Sequence, residues 1–555
     1  MRFLSPGWLA ALTAFLAALS ILLILHLTWY PYEVPRILIF SYFLRNQDIA
    51  GSALVAAIAI AAWMPRTRTP ALAIVDWLAR NPWRVAAAAF VAICLAAFVA
   101  AFNHALAGDE HLAIFQSRVF AAGRLTAQFP PELVFRLIPE QYQWRWLIAS
   151  ETTGQVASIY WPGFALFLAP FSLFGVHWAC NPLLAALSLV LIAKLATRLA
   201  GTPQGGGWAM LFTLASPGFI GMAITYFSMT AHLFLNALFV WLLLERNRTR
   251  LLAAGLVGSF ALVQSNPVPH LLFSVPWVAS LARGPLGRRN LLTLGAGYLP
   301  LALLLGLGWW LFLRELQGKV PIALYASEEN PLHRLANLAW YLQMEFWHVF
   351  SLDWAFGSRI LEQVRLWSWA VPGLLWLALA GWWLSRDVAE VRLLAMSVVC
   401  TVLGYLPVMF DQGSGWGARY VHPAWSALPV LAALAMVRLR AHPAGQELQI
   451  YVFRVALLSL VFANALRLFQ IHMFMRDQLS LRPPFEKGVR QVVFIAPNSV
   501  NYAQDFLQND PYLRAPVIFV LSRGFARDYE EVIQRRFPGA RRTYEGPNGH
   551  VWRVD

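Results

Sequence analysis

Stretches of about 20 apolar residues recur from one end of this 555-residue chain to the other, and no other property limits its fold so strongly. Coiled at 1.5 Å per residue, such a stretch spans the ~30 Å hydrocarbon layer of a bilayer. Candidate spans fall near 7–28, 48–64, 84–105, 178–199, 207–224, 230–245, 251–267, 269–283, 291–313, 367–384, 392–409, 421–437 and 450–470, about thirteen in all. Lipid offers no partner to a backbone N–H or C=O, so the spans are expected to be helices. A membrane barrel would place apolar residues at alternate positions, and these runs do not. Only 13% of the residues are charged, about half the share in soluble domains. A water-soluble globular protein, a disordered chain and a disulfide scaffold are all excluded. Cys94, Cys180 and Cys400 each lie in an apolar stretch and suit core packing. The expected class is an α-helical polytopic membrane protein.

The net charge of +15 fits basic ends on the cytoplasmic side of membrane helices better than a nucleic-acid partner, and no nucleic acid is expected. Arg66, Arg68, Arg80 and Arg84 follow the second span; Lys194 and Arg198 end the fourth; Arg246, Arg248 and Arg250 follow the sixth. Arg283, Arg288 and Arg289 follow the eighth, Arg386 and Arg392 the tenth, and Arg438 and Arg440 the twelfth. Every second connection is therefore basic. This places the N-terminus inside, as a retained first helix and not a cleaved signal, and the C-terminus outside. YWPGFALFLAPFSLFG (160–175) is too short to cross and would reverse this alternation if it did. It is expected to be a half-membrane helix starting at the outer surface; a miscounted helix elsewhere is the rival explanation.

Three outer stretches are large: 106–158, 314–366 and 471–555. The chain thus divides into two N-terminal helices (1–83), a transmembrane core (84–470) and a small extracytoplasmic tail (471–555). HLAIFQSRVFAAGRL has apolar residues at helical spacing and suits an amphipathic helix lying in the interface. In the tail, VRQVVFIAP and APVIFVLSRG read as buried strands, DYEEVIQRRFPGA as a helix, and RTYEG with HVWRV as a hairpin. The tail is expected to be a small α/β module leaning on the membrane part.

Gly-Asp-Glu-His at 108–111 stands where the third span emerges on the outer side. Acidic pairs at a membrane boundary are often solvated loop ends. Facing a cavity, such a carboxylate instead takes a proton from an acceptor hydroxyl within hydrogen-bond reach.

DEHLAIFQSRVFAAGRL (109–125), SIYWPGFALFLAPFSLFG (158–175) and GWGARYVHPAWSALP (415–429), in that order on a multi-helix scaffold, resemble the polyprenyl-phosphate-dependent GT-C glycosyltransferases. That family includes protein O-mannosyltransferases and lipid A aminoarabinose transferases. The resemblance covers roughly residues 84–470, leaving the helices at 7–28 and 48–64 ahead of the usual core. It implies a GT-C-like fold and an inverting transferase in the cytoplasmic membrane with its active site on the outer face. It implies a polyprenyl-phosphate-linked sugar as donor and a hydroxyl acceptor on lipid, glycan or protein. By the same resemblance Asp109 matches the general base and Glu110 its neighbour. The departing lipid phosphate needs a cation more than an acid. Arg419, in Gly-Ala-Arg-Tyr, is the candidate phosphate partner, with Tyr420 and His422 beside it; an interfacial arginine anchoring a helix end is the alternative.

Other residues are candidate lining. His111 adjoins the acidic pair; Tyr160 and Trp161 stack on a sugar or serve as belt aromatics; His232 and His270 are either ligands or helix-end histidines. Some relatives carry a lysine before the Pro-aromatic segment, but VASIYWPG has none, so no lysine–phosphate contact is carried over. Glu328, Glu329, His333, His348 and Asp353 suit solvated loop charge. No pair has a recognised metal spacing, so neither a metal nor another cofactor is expected. Two rival activities remain at this stage. A transporter or lipid flippase tends to show internal repeats, and none is visible. A polysaccharide polymerase or ligase would rely on outer basic residues such as Arg334 and Arg359 and would leave Asp109 expendable.

Overall fold

A computed structural model describes residues 5–29, 38–64, 71–139, 142–143, 146–245, 247–283, 286–317, 352–408, 412–440, 445–497 and 502–554. Arg66, Arg68, Arg246, Glu328, Glu329, His333, Arg334 and His348, and the Asp353 side chain, lie outside the described residues. The chain is an α-helical, multi-pass membrane protein with a small sheet near its C-terminus. Among the described residues six helices are long and apolar enough to cross a bilayer alone: Pro6–His26, Pro82–Val99, His177–Ala200, Gly287–Leu316, His422–Leu439 and Gly445–Ser480. Gly163–Leu173, Met229–Leu243, Val268–Ala282 and Leu374–Leu384 are shorter apolar helices. The thirteen uniform spans expected from hydropathy thus become helices of unequal length. The expected span at 207–224 is two helices, Pro203–Leu214 and Pro217–Ala223. Pro217 has no N–H to continue the first ladder, and the Ser216 hydroxyl closes the break, donating to Phe212 O (2.7 Å) and accepting from Val371 N (3.0 Å).

The core centres on helix Ala427–Leu439, whose Leu428–Met436 segment is buried throughout. Alanines at 432, 433 and 435 keep it slim enough for neighbours on every side. Gly381 of helix Leu374–Leu384 meets it so closely that a Cβ there would stand 1.8 Å from Leu431 O. Only glycine allows that approach. Contacts also join the basic helix ends: Arg198 pairs with Glu245 (3.1 Å), Arg440 reaches Gln204, and Arg438 Nε donates to Ser385 Oγ (3.3 Å). The ends of the fourth, sixth, tenth and twelfth expected spans therefore share one end of the bundle, as the charge alternation requires.

Helix Gly163–Leu173 runs alongside helix Gly108–Ala121, its Ser172 hydroxyl 2.6 Å from that of Ser117. Four residues beyond it His177 opens a 24-residue apolar helix, ~36 Å long, which ends at the basic face near Arg198. The C-terminal end of Gly163–Leu173 therefore lies at the opposite end of the bundle, with Leu173 and Phe174 exposed. Leu112, Phe115 and Val119 of helix Gly108–Ala121 are buried in one apolar cluster that also takes in Val492, Phe494, Val520, Ile533 and Trp552 of the tail.

The sheet has strand order Val517–Leu521, Gln491–Ile495, Gly549–Arg553, Arg541–Gly546. The first pair is parallel and the other two are antiparallel, the last being the expected hairpin. Arg136 of the 106–158 stretch pairs with Asp528 and Glu531 and donates to Leu521 O, so tail and outer stretch are packed as one unit.

Candidate active site

Helix Gly108–Ala121 is capped from far away in the sequence. The Gly108 N–H donates to Asp505 Oδ1 (2.5 Å) and to the Tyr142 hydroxyl (3.0 Å). A Cβ at Gly108 would stand 2.1 Å from the Tyr142 ring, so a larger residue there would displace Tyr142 from the cap. Asp109 and Glu110 occupy the first turn, where the helix dipole favours negative charge.

Asp109 joins two groups. Its Oδ2 accepts from Arg419 Nη2 at 2.6 Å and its Oδ1 from the Tyr160 hydroxyl at 2.9 Å. The pair is partly open, with Asp109 24% and Arg419 12% exposed. Burial, followed by the Asp109 charge, pushes the Tyr160 hydroxyl well above its ordinary value, so it stays protonated and donates. Tyr160 is held where the chain turns at Trp161-Pro162 into helix Gly163–Leu173. Its carbonyl accepts from Trp309 Nε1 (2.9 Å), Trp161 N donates to Ser265 O (3.2 Å), and Gly163 N donates to Val263 O (2.7 Å).

Arg419 arrives on the loop QGSGWGAR, in which Gly413, Gly415 and Gly417 all take positive φ (58°, 126° and 79°). Side chains rarely adopt that backbone, so the alternating glycines define the loop's path. Gln412 ties it off: its Oε1 accepts from Arg419 N (2.9 Å), its Nε2 donates to Gly417 O (2.8 Å), and its carbonyl accepts from Arg419 Nη1 (3.3 Å). Helix Leu352–Ser368 fixes the start and the middle of the loop, Glu362 accepting from Gln412 N (3.0 Å) and Arg365 donating to Gly415 O (3.0 Å). The Arg419 guanidinium lies 3.8 Å from the centre of the Phe227 ring, a cation–π contact.

Glu110 has a different task from Asp109. It is 3% exposed, and its Oε2 accepts from Tyr226 N (2.9 Å). Burial pushes its carboxyl up to about 7 against that hydrogen bond. Glu110 and Asn181, which donates to Thr225 O and Phe227 O (2.7 and 2.9 Å), hold the turn that sets the Phe227 ring against Arg419.

The other expected residues disperse. His111 is buried beside Phe115, and burial lowers it to about 3, leaving it neutral. Tyr420 stacks on Tyr405 (4.9 Å, 6°) with the Arg359 guanidinium 5.3 Å from its ring. His422 is buried and stacked on Trp425. Trp161 packs with Phe120, Trp309 and Phe312. His232 is enclosed in helix Met229–Leu243. His270 bridges helices, its Nδ1 2.7 Å from Asn236 Oδ1 and its Nε2 2.6 Å from the Tyr298 hydroxyl. The structure thus joins Asp109, Tyr160 and Arg419, sets Glu110 behind them, and engages His270 in helix packing. Among the described residues no three His, Cys, Asp or Glu side chains stand together as a metal site.

A second aspartate–arginine group lies deeper. Asp48 is reached by Arg365 Nε and Arg467 Nη2, each at 3.1 Å, and by Trp369 Nε1 at 2.7 Å. Asp48 and Arg365 are 0% exposed and Arg467 is 2% exposed. The cluster ties the helix beginning at Ile49 to helix Leu352–Ser368 and, through Arg365, to the Arg419 loop. Asp48 and Arg467 did carry a sequence signal, being charges within expected spans; Glu362 and Arg365 fall in the outer stretch 314–366 and did not. Gln412, Phe227 and Asp505 carried none, since tertiary folding alone brings them to the site.

No family model matches the sequence, and no curated protein matches it. Two solved structures resemble the fold: ArnT from Cupriavidus metallidurans in the apo state, and the same protein bound to undecaprenyl phosphate. Each is 13% identical, with a TM-score of 0.47, over 84% of this chain and 97% of the other.

Proposed function

We propose that this protein is an inverting glycosyltransferase, moving a sugar from a polyprenyl-phosphate donor to a hydroxyl acceptor at the outer face of the cytoplasmic membrane. The Asp109–Arg419 pair carries the proposal. It is a carboxylate and a guanidinium 2.6 Å apart and partly open, at the bundle end away from the basic helix termini. While paired, the carboxylate oxygen is occupied by the guanidinium. An arriving lipid phosphate offers the guanidinium a stronger, two-pronged partner. As Arg419 turns to the phosphate, that Asp109 oxygen is freed. It then takes the acceptor hydroxyl proton while that oxygen attacks the anomeric carbon from the face opposite the phosphate. The carbon–oxygen bond to phosphate breaks with its electron pair, and polyprenyl phosphate leaves against Arg419. Tyr160 keeps Asp109 oriented throughout, and Glu110 supports the Phe227 shelf.

The test is release of polyprenyl phosphate from a labelled donor by purified protein. Wild type releases it only when acceptor is added. Asp109→Asn folds and binds donor but transfers about 10²–10⁴-fold more slowly. Undiminished transfer by Asp109→Asn would reject the base assignment. Accumulation of intact donor in the opposite leaflet would replace the transferase with a flippase.

A further inference from the structure

At the bundle end away from Asp109, helices Arg248–Leu262 and Gly287–Leu301 bring their N-termini together. They touch through Gly255 and Gly297, where a Cβ on either would stand 2.8 Å from the other's Cα. Above that contact a groove of about 690 Å³ opens, lined by Arg248, Arg288, Arg289 and Thr293 on its polar side and by Leu252 and Leu292 on its apolar side. Its size suits a small-molecule headgroup. Neither helix has an acidic residue in its first turn, so no carboxylate offsets either positive dipole end there, and among the described residues the only side-chain cap at the two ends is the neutral Asn247, which accepts from Arg250 N (2.9 Å). Glu245, the nearby carboxylate, is already held by Arg198 (3.1 Å) and Arg250 (3.5 Å). Arg248, Arg288 and Arg289 are exposed and form no ion pair among the described residues. Three adjacent free guanidinium groups repel one another until an anion joins them. Leu252 and Leu292, 47% and 65% exposed, continue the groove along the lipid-facing side. Depth is fixed by the helix that begins at Gly287. Trp309, 22 residues on, donates to Tyr160 O beside Asp109. At 1.5 Å per residue that is ~33 Å, a full hydrocarbon thickness.

We infer that this groove binds the phosphate-bearing headgroup of an anionic membrane phospholipid, in the leaflet opposite the acid site, with the acyl chains along Leu252 and Leu292. The inference is independent of the transfer chemistry.

Lipid retention by the purified full chain, read by native mass spectrometry and thermal shift, tests it. Phosphatidylglycerol, phosphatidylcholine with the same chains, and inorganic phosphate are the probes. Wild type is expected to prefer phosphatidylglycerol by at least about tenfold and not to respond to phosphate alone. Arg248→Gln/Arg288→Gln/Arg289→Gln loses that preference. Arg386→Gln/Arg392→Gln, which alters basic residues outside the groove, keeps it. Ala296→Trp, at an exposed groove position, obstructs the site with its charges intact and also lowers retention; this variant decides the matter if the triple one fails to fold. Equal retention of the two lipids, an unchanged preference in the triple variant or in Ala296→Trp, or a full response to phosphate alone would overturn the inference.

Discussion

Asp48 and Asp109 each hold arginine, in opposite surroundings. Asp48 shares two guanidinium groups and an indole N–H and has no exposed surface, and Arg365 and Arg467 also lie 5.6 and 4.1 Å from the Trp369 ring centre. Asp109 has one guanidinium and one phenol, and about a quarter of its surface is open. Removing water from the first group makes its ions inseparable: either charge alone would be stranded in a medium that cannot solvate it. The second group keeps an exchangeable partner. The same two residue types therefore build a sealed tie in one place and a partly open pair in the other.

The sealed group makes the largest prediction. Asp48→Ala leaves two arginines buried without their counter-ion and is expected to cost about 3–5 kcal/mol. Thermal unfolding in detergent measures this, and a midpoint equal to wild type would mean that the cluster is not scaffold. On the open side Arg419→Lys keeps the charge but loses the fork. Turnover is expected to fall about 10²–10³-fold while the unfolding midpoint holds; a lysine variant as fast as wild type would remove the two-pronged contact from the mechanism.

Glu110 tests the boundary between the two environments. Its folded carboxyl titrates at about 7 against an ordinary 4.5, raised chiefly by burial. Between those values the folded chain holds a proton that the unfolded chain has released. The Glu110 contribution to stability is therefore fullest below pH 4.5, falls as pH rises to 7, and is level above it, by about 3 kcal/mol in total. Glu110→Gln should flatten that slope and exceed wild type in stability above pH 7. A slope that survives the substitution would assign it to another group. The smallest effect belongs to Tyr160→Phe, which removes one hydrogen bond from Asp109 but leaves its contact with Arg419 in place. Turnover is expected to fall no more than about tenfold, and a collapse comparable to that of Asp109→Asn would give Tyr160 a larger part than orientation.

Hydropathy and charge made the helical membrane class legible, and the tail's strands and hairpin could be read from apolar runs bounded by turns. Asp109 and Arg419 could be singled out, but their 2.6 Å contact could not, since 310 residues separate them. The packing of helix Gly108–Ala121 could not be read in advance, because an apolar stripe looks the same whether lipid or protein will cover it, and the tail residues of its buried cluster lie far along the chain. The partner of helix Gly163–Leu173 was equally hidden, since only the folded chain brings Ser172 to Ser117.

The short helix Gly163–Leu173 has a consequence for its surroundings. About 16 Å long, with Leu173 and Phe174 turned outward, it presents large apolar side chains that water solvates poorly, so whatever covers that end of the bundle has to be apolar as well.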